Sequence, residues 1–275
     1  MRLSQGFSAV ILLCFSVNVS GDPSPQKLVS LAPHLSELLF DIGAGDQLVG
    51  AVEYSDFPEQ ARQVPRVGDA FRLDRERIAS LSPDIILAWE GGTPNAVIDQ
   101  LNSDGYQVLV LSGSEPEDVA TTLIELGELT GQHERAAWLA SDFLDELQTL
   151  RRRYAEQPSV SVFVQIGSRP LYTVNGQQMI GKVVTLCGGR NIFEDLDDLA
   201  PVVSEEAVVA ANPQVILATG HTDRGVFDRW KRFSSLDAVA SSRLFHLNPD
   251  LVTRPTRRLA KGAQEVCERL DEARI

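Results

Sequence analysis

The chain has 275 residues, 43% of them hydrophobic, and a formal net charge of −13. That length allows two domains of ordinary size, each with its own core. The acidic balance argues against a nucleic-acid or anionic-membrane partner, since both require clustered basic side chains.

Residues 1–21 read as a cleaved signal peptide. Arg2 supplies a short basic start, Phe7 to Phe15 an apolar run, and Val19-Ser-Gly21 a cleavage site, so the mature chain begins near Asp22. The run is far shorter than the roughly 20 residues that a membrane span needs. Lipid attachment at Cys14 is disfavoured, because the preceding Ile-Leu-Leu lacks a small residue. Removing the signal leaves Cys187 and Cys267 in an oxidising compartment, the periplasm. An even pair there reads most simply as a disulfide, with two buried free thiols as the alternative.

In chain order, Lys27 to Ala32 reads as a strand that Pro33 stops. A short helix starts at Ser36 and ends at Gly43. Leu48 to Val52 is a second strand, and Tyr54-Ser-Asp-Phe-Pro58 a polar loop with two aromatics. Asp74 to Leu81 reads as a helix, and Asp84 to Ala88 as a strand opening into Trp89-Glu-Gly-Gly-Thr-Pro94. A helix over Asn95 to Asp104, a strand over Gln107 to Leu111 and a helix over Glu115 to Leu129 follow. This alternation with short connections is the pattern of a parallel sheet wrapped by helices.

The rhythm then changes. Residues 132–157 contain no proline and no glycine, and Leu139, Phe143, Leu147, Leu150 and Tyr154 form one apolar stripe at helical spacing. Such a helix would be about 35 Å long. It reads as a stiff connector between an N-terminal lobe over 22–131 and a C-terminal lobe over 158–275. A surface helix of the first lobe is the alternative. A stiff connector implies only small closing movements.

The second half repeats the alternation. Val160 to Gln165 reads as a strand and Ile166 to Thr173 as a loop. Gln178 to Cys187 is a helix closed by Gly188-Gly189. Glu205 to Ala211 is a helix, Gln214 to Ala218 a strand and Thr219 to Gly225 a loop. A short helix over Phe227 to Phe233, a strand over Leu244 to Leu247, a loop over Asn248 to Thr256 and a helix over Arg257 to Ala273 complete the chain. The fold class is therefore α/β: two α/β lobes with mainly parallel sheets, joined by one long connecting α-helix. One stretch makes the duplication visible. Glu76 to Ala88 reads ERIASLSPDIILA, and Glu206 to Ala218 reads EAVVAANPQVILA. Each copy is a short helix, a proline break and a strand apolar on both faces. Each also places a glutamate at the same point of its lobe.

No nucleophile elbow, phosphate-binding loop or dinucleotide fingerprint occurs. His34, His133, His221 and His246 are scattered singly, without metal-site spacing. A binding protein fits better than an enzyme. Ligands in open α/β sheets sit outside the carboxyl ends of the strands. The loops to watch are Pro33-His34, Tyr54 to Phe57, Trp89 to Gly92, Arg169 to Tyr172, His221 to Arg224 and Asn248 to Arg254. Their aromatics suit a large flat ligand with polar edges, although core packing is an equal alternative for Tyr54, Trp89 and Tyr172.

Together these residues resemble the periplasmic cobalamin-binding proteins that feed an ATP-driven importer. The resemblance rests on Leu31-Ala-Pro33, Tyr54-Ser-Asp-Phe-Pro58, Glu76-Arg-Ile78, Ala88-Trp-Glu-Gly-Gly92, Cys187-Gly-Gly-Arg-Asn-Ile-Phe193, Pro201-Val-Val-Ser204 and Asp250 with Arg254. It runs from about Lys27 to the C-terminus. The wider class carries haem and iron siderophores and has two lobes joined by one long helix.

The resemblance implies that Pro33 lines the ligand site, Tyr54 touches the corrin, Trp89 walls the cleft and Tyr172 supplies an aromatic. Asp250 and Arg254 would meet the ligand's polar edge. Cys187 and Cys267 match the class's disulfide. Glu76 and Glu206 match the glutamates that pair with arginines of the membrane permease. Stabilisation of a helix N-terminus is their simpler role. Cobalamin would be cargo, no cofactor or resident metal is implied, and the protein would be monomeric.

Two positions depart from the pattern. Ala70, beside Phe71, and Ala200 stand where the class has tryptophan. His34 could ligate cobalt, although a solvent-facing or capping role is commoner for a lone histidine. A haem or siderophore carrier of the same fold is the nearest rival. A corrinoid-dependent enzyme and a zinc carrier are weaker ones.

Overall fold

The duplicated stretch folds the same way twice in the computed structural model, which describes residues 26–69, 72–220 and 225–274. Helix α2 (Arg75–Leu81) and helix α7 (Glu205–Ala211) have seven residues each. The Asp74 carboxylate caps α2 by accepting from the Arg77 N–H, and the Ser204 hydroxyl caps α7 by accepting from the Ala207 N–H. Both helices end on a residue of positive φ, Ser82 at 48° and Asn212 at 43°, and a proline follows. Asp84 and Gln214 then accept a backbone N–H from the neighbouring strand, at Lys27 (2.7 Å) and at Ser161 (2.9 Å).

These units sit in two parallel sheets. The first contains β1 (Leu28–Ser30), β2 (Leu48–Ala51), β3 (Ile85–Trp89) and β4 (Gln107–Leu111), in the order β2-β1-β3-β4. It is wrapped by α1 (Pro33–Asp41), α2, α3 (Asn95–Ser103) and α4 (Asp118–Thr130). The second contains β5 (Val160–Gln165), β8 (Gly189–Asn191), β9 (Val215–Thr219) and β10 (Leu244–Leu247), in the order β10-β9-β5-β8. A small hairpin, β6 (Gly167–Ser168) with β7 (Leu171–Tyr172), stands apart. Helices α6 (Met179–Leu186), α7, α8 (Asp228–Lys231), α9 (Asp237–Ala240), α10 (Pro249–Val252) and α11 (Arg258–Asp271) belong to the second lobe.

Between the sheets runs α5 (His133–Tyr154), 22 residues and about 33 Å long. Its stripe of Leu139, Phe143, Leu147 and Tyr154 is buried, with Leu150 half-buried. The helix packs on α4 of the first lobe and on α6 and α11 of the second. One apolar core therefore runs from Leu28 and Leu35 through α5 to Val266 and Leu270. The Tyr154 hydroxyl donates to Asp271, 3.0 Å away, and pins the end of α5 to α11.

Several local features differ from the sequence reading, among them a short helix, α10, within the expected loop over Asn248 to Thr256 and the unpredicted α9. Pro33 does not only end a strand: it opens α1, where a missing N–H costs nothing because the first helical N–H groups lack intrahelical partners. The segment expected to close a helix at Gly188-Gly189 splits its duties. Gly188 takes φ +70°, while Gly189 begins β8 beside β5. The loop over Ile166 to Thr173 contains the hairpin.

Cys187 and Cys267 form a disulfide that closes a loop of 80 residues and ties α6 to α11. Both cysteines are fully buried in the shared core. A Cys187→Ala, Cys267→Ala variant is expected to lose about 2–4 kcal/mol of stability. Urea unfolding of the two proteins reads this directly; an unchanged midpoint would make the bond ornamental.

Candidate functional site

The carboxyl ends of both sheets face one interlobe opening. A cavity of about 740 Å³ lies there, lined by Trp89, Gly92 and Ser112 of the first lobe and by Gln178, Lys182 and Leu199 of the second. That volume is in the range of small-molecule pockets.

Trp89 ends β3 and is half-buried, with one face in the cavity. His34, in the first turn of α1, meets it edge to face with ring centroids 4.5 Å apart. His34 is only 7% exposed, and its Nε2 has no hydrogen-bond partner. Burial, and then the nearby Arg254 charge, push its pKa down to about 3. The imidazole is therefore neutral at ordinary pH, and its Nε2 is buried behind Trp89 rather than lining the cavity. His34 is neither solvent-facing nor a helix cap. Pro33 precedes it and is half-buried.

Tyr54 follows β2 and is 76% exposed at φ 65°. A bulky side chain at positive φ is uncommon and costs about 1–3 kcal/mol. The loop beyond it is held firmly. The Ser55 hydroxyl accepts from Ser36 at 3.3 Å, and Arg66 donates to the Ser55 carbonyl at 2.7 Å. This anchoring keeps the tyrosine outside the core.

The same loop crosses to the second lobe. Arg254 donates to Asp56 at 2.8 Å and meets Asp250 at 3.1 Å. Burial of Asp56 would raise its pKa, but the Arg254 hydrogen bond and charge outweigh this and hold the carboxyl below its usual range. Next to this pair, the Arg258 guanidinium lies over the Phe57 ring, 3.9 Å from its centroid. Arg258 also makes a two-pronged bond to Glu37, at 2.7 and 2.5 Å, and Glu37 is 1% exposed. Four residues on, Asp41 has its pKa pushed up to about 6, first by burial and then by the Glu37 charge. Lys182 reaches Glu115 at 2.5 Å as a third ion pair between the lobes.

The structure thus brings His34 against Trp89, which lines the opening, and Asp250 against Arg254, whose neighbours Thr253 and Pro255 line it. Tyr172 stands on the second lobe beside Val202, to which it is bridged, and not against the first group. With Leu199 and Val202 it forms an exposed apolar strip. Ala200 lies exposed within that strip. Ala70, Phe71, His221 and Arg224 lie outside the described residues, as do the signal segment and Cys14.

Asp56, Glu37, Arg258 and Lys182 escaped sequence reasoning. Single charges in amphipathic segments look like solvated faces, and their partners are far away in the chain. Trp230 also carried no signal. It is fully buried and donates its indole N–H to Gln165 at 2.8 Å, a core role. Glu76 and Glu206 occupy the second position of α2 and α7, and both are exposed. The Glu206 carboxyl is held below its usual pKa by its own backbone N–H and by the Ser204 hydroxyl. Among the described residues, no three metal-ligating side chains converge, and no helix is long and apolar enough to cross a membrane.

Comparison with known proteins agrees with this architecture. The vitamin B12-binding protein of Vibrio campbellii is 32% identical over 264 residues, covering 95% of both chains. The crystal structure of the periplasmic vitamin B12 binding protein BtuF of Vibrio cholerae matches with a TM-score of 0.83 at 33% identity, covering 90% of this chain and 98% of that one. The periplasmic heme binding protein HutB of Vibrio cholerae shares the fold alone, at 21% identity and a TM-score of 0.78, covering 89% and 98%. Residues 28–251 match the periplasmic binding protein family. With two wrapped parallel sheets, a stiff helix between them and a cleft at their carboxyl edges, the chain belongs to the periplasmic binding protein family.

Proposed function

We propose that this chain is an exported, monomeric solute-binding protein that captures cobalamin or a close corrinoid between its lobes and hands it to an ABC permease. It performs no chemistry on its cargo and binds no nucleic acid. The observation that carries the reading is the cleft at the carboxyl edges of both sheets, walled by Trp89 and flanked by Asp250 and Arg254. Vitamin B12-binding relatives at 32–33% identity over most of the chain support it. Trp89 would lie against the corrin, while Tyr54, Tyr172 and Pro33 would complete the apolar contact. Asp250 would accept from side-chain amides of the corrin and Arg254 would donate to them. Arg254 would exchange part of its bond to Asp56 for this contact. The domain limits 22–131, 132–157 and 158–275, and cleavage near Asp22, belong to the same proposal.

Titration of the chain from Asp22 onward with aquocobalamin, cobinamide and haem tests the reading. One corrinoid should bind per chain. Trp89→Ala should cost about 2 kcal/mol, roughly a thirtyfold loss of affinity. Haem binding more tightly than either corrinoid would overturn the proposal. Haem is the second reading because of one observation, the neutral His34 imidazole packed against Trp89; its Nε2 is buried and would have to be uncovered to reach a ring. A visible-band shift of aquocobalamin that is unchanged in His34→Ala removes the imidazole as an axial ligand.

A further inference from the structure

The cleft is unevenly charged. Among the described residues, its lining includes Glu90, Asp118 and Glu125 from the first lobe and one cation, Lys182, from the second. Lys182 is already matched by Glu115 at 2.5 Å. Asp118 accepts two backbone N–H bonds at 2.8 Å each, from Ser114 and Glu115. The cations at the other end of the opening are matched too: Arg254 lies between Asp56 and Asp250, and Arg258 is bound to Glu37. Beside Leu199, which lines the cavity, the rim reads Glu194-Asp-Leu-Asp-Asp198. Among the described residues, no lysine or arginine pairs with those four carboxylates. Among the described residues, the second-lobe rim is therefore a band of unpaired carboxylates beside a cavity lined by more acids than bases.

A low-dielectric cleft lined by one sign of charge focuses its field on whatever enters. It attracts cations, tolerates neutral molecules and repels anions. We propose that this cleft is a charge filter among tetrapyrroles. It admits rings whose peripheral groups are capped as amides. It turns away rings that carry free carboxylates, whether haem with its propionates or a corrin whose acetate and propionate arms have not been amidated. The idea rests on the corrinoid reading and sharpens it, since shape alone admits both classes of ring.

The test uses cyanocobalamin and its tricarboxylic acid, which differ only in amide against carboxylate, with haem as a second anion. Equilibrium dialysis at about 0.01 M and about 1 M salt contrasts a Debye length of about 30 Å with one of about 3 Å. At low salt the tricarboxylic acid should bind at least about tenfold more weakly than cyanocobalamin, and high salt should shrink that gap to about threefold. A Glu194→Gln, Asp195→Asn, Asp197→Asn, Asp198→Asn variant should shrink it at low salt as well. Equal binding of the two corrinoids overturns the filter. So does a gap that neither salt nor the variant narrows, because the amides would then be read by hydrogen bonds alone. Tight haem binding at low salt overturns it too. Failure of cyanocobalamin to bind at all overturns the corrinoid reading and the filter with it, whereas tight cyanocobalamin binding without a salt-sensitive gap overturns the filter alone.

Discussion

A Glu76→Arg, Glu206→Arg double variant should lose corrinoid uptake by cells while keeping its affinity for the ligand. The two carboxylates sit at the same position of two short helices, are exposed, and lie one on each lobe. Their helices carry equivalent caps and equivalent exits, so the lobes hold them alike. As exposed helix N-terminal acids they are screened by solvent and hold little of the fold, so the fold should survive their reversal. A paired docking contact would instead become a paired repulsion on reversal. Labelled-cobalamin uptake in a strain lacking the native gene reads transport, and titration of the purified variant reads binding. Lost affinity would return the glutamates to the fold or the pocket.

Breaking the Glu37–Arg258 pair should produce a loss of stability as large as that of removing the disulfide. Glu37 is 1% exposed and both of its oxygens accept from Arg258. Removing one member of a buried pair strands the other charge in a low dielectric, at a cost of about 3–5 kcal/mol. Arg258 keeps some contact with water, its side chain being 22% exposed. Glu37→Ala should therefore fall near the lower end of that range. A Glu37→Leu, Arg258→Met double variant should recover most of the loss, because apolar replacement of a whole buried pair is often neutral or better. Urea unfolding of the three proteins separates these outcomes. A Glu37→Ala cost below about 1 kcal/mol would show that water screens the pair.

The parts of the fold that were legible in the sequence are those written in local periodicity. The stripe from Leu139 to Tyr154 fixes a helix with one buried face, and burial of those residues follows. The Glu-to-Ala repeat predicts two equivalent units, and the caps at Asp74 and Ser204 bear it out. Strand β8 was invisible because Gly-Arg-Asn has no alternation to reveal it; it is a strand only because β5 offers an open edge. The ion pairs across the lobes were equally hidden. Arg254 meets Asp56 across 198 positions, and Arg258 meets Glu37 across 221. No local pattern links residues so far apart, and Glu37 within Ser-Glu-Leu-Leu-Phe reads as a solvated charge. Trp89 was legible as a loop aromatic at the end of a strand, and it lines the cavity, but the acidity of the cleft walls emerges only once both lobes are assembled.

The placement of α11 bears on the order in which this protein can be made. The helix supplies Leu259, Ala263, Val266 and Leu270 to the shared core, the partner of Glu37, and one half of the disulfide. All of these come from residues 258–271 of a 275-residue chain. Synthesis runs from the N-terminus, and domains generally fold as units when their residues are present. Until the last helix emerges from the ribosome, α1 faces an unfilled core and Glu37 has no counter-charge. A growing chain in that condition has no finished fold. The roughly four turns of α11 act as the keystone, and the arch stands only when they arrive.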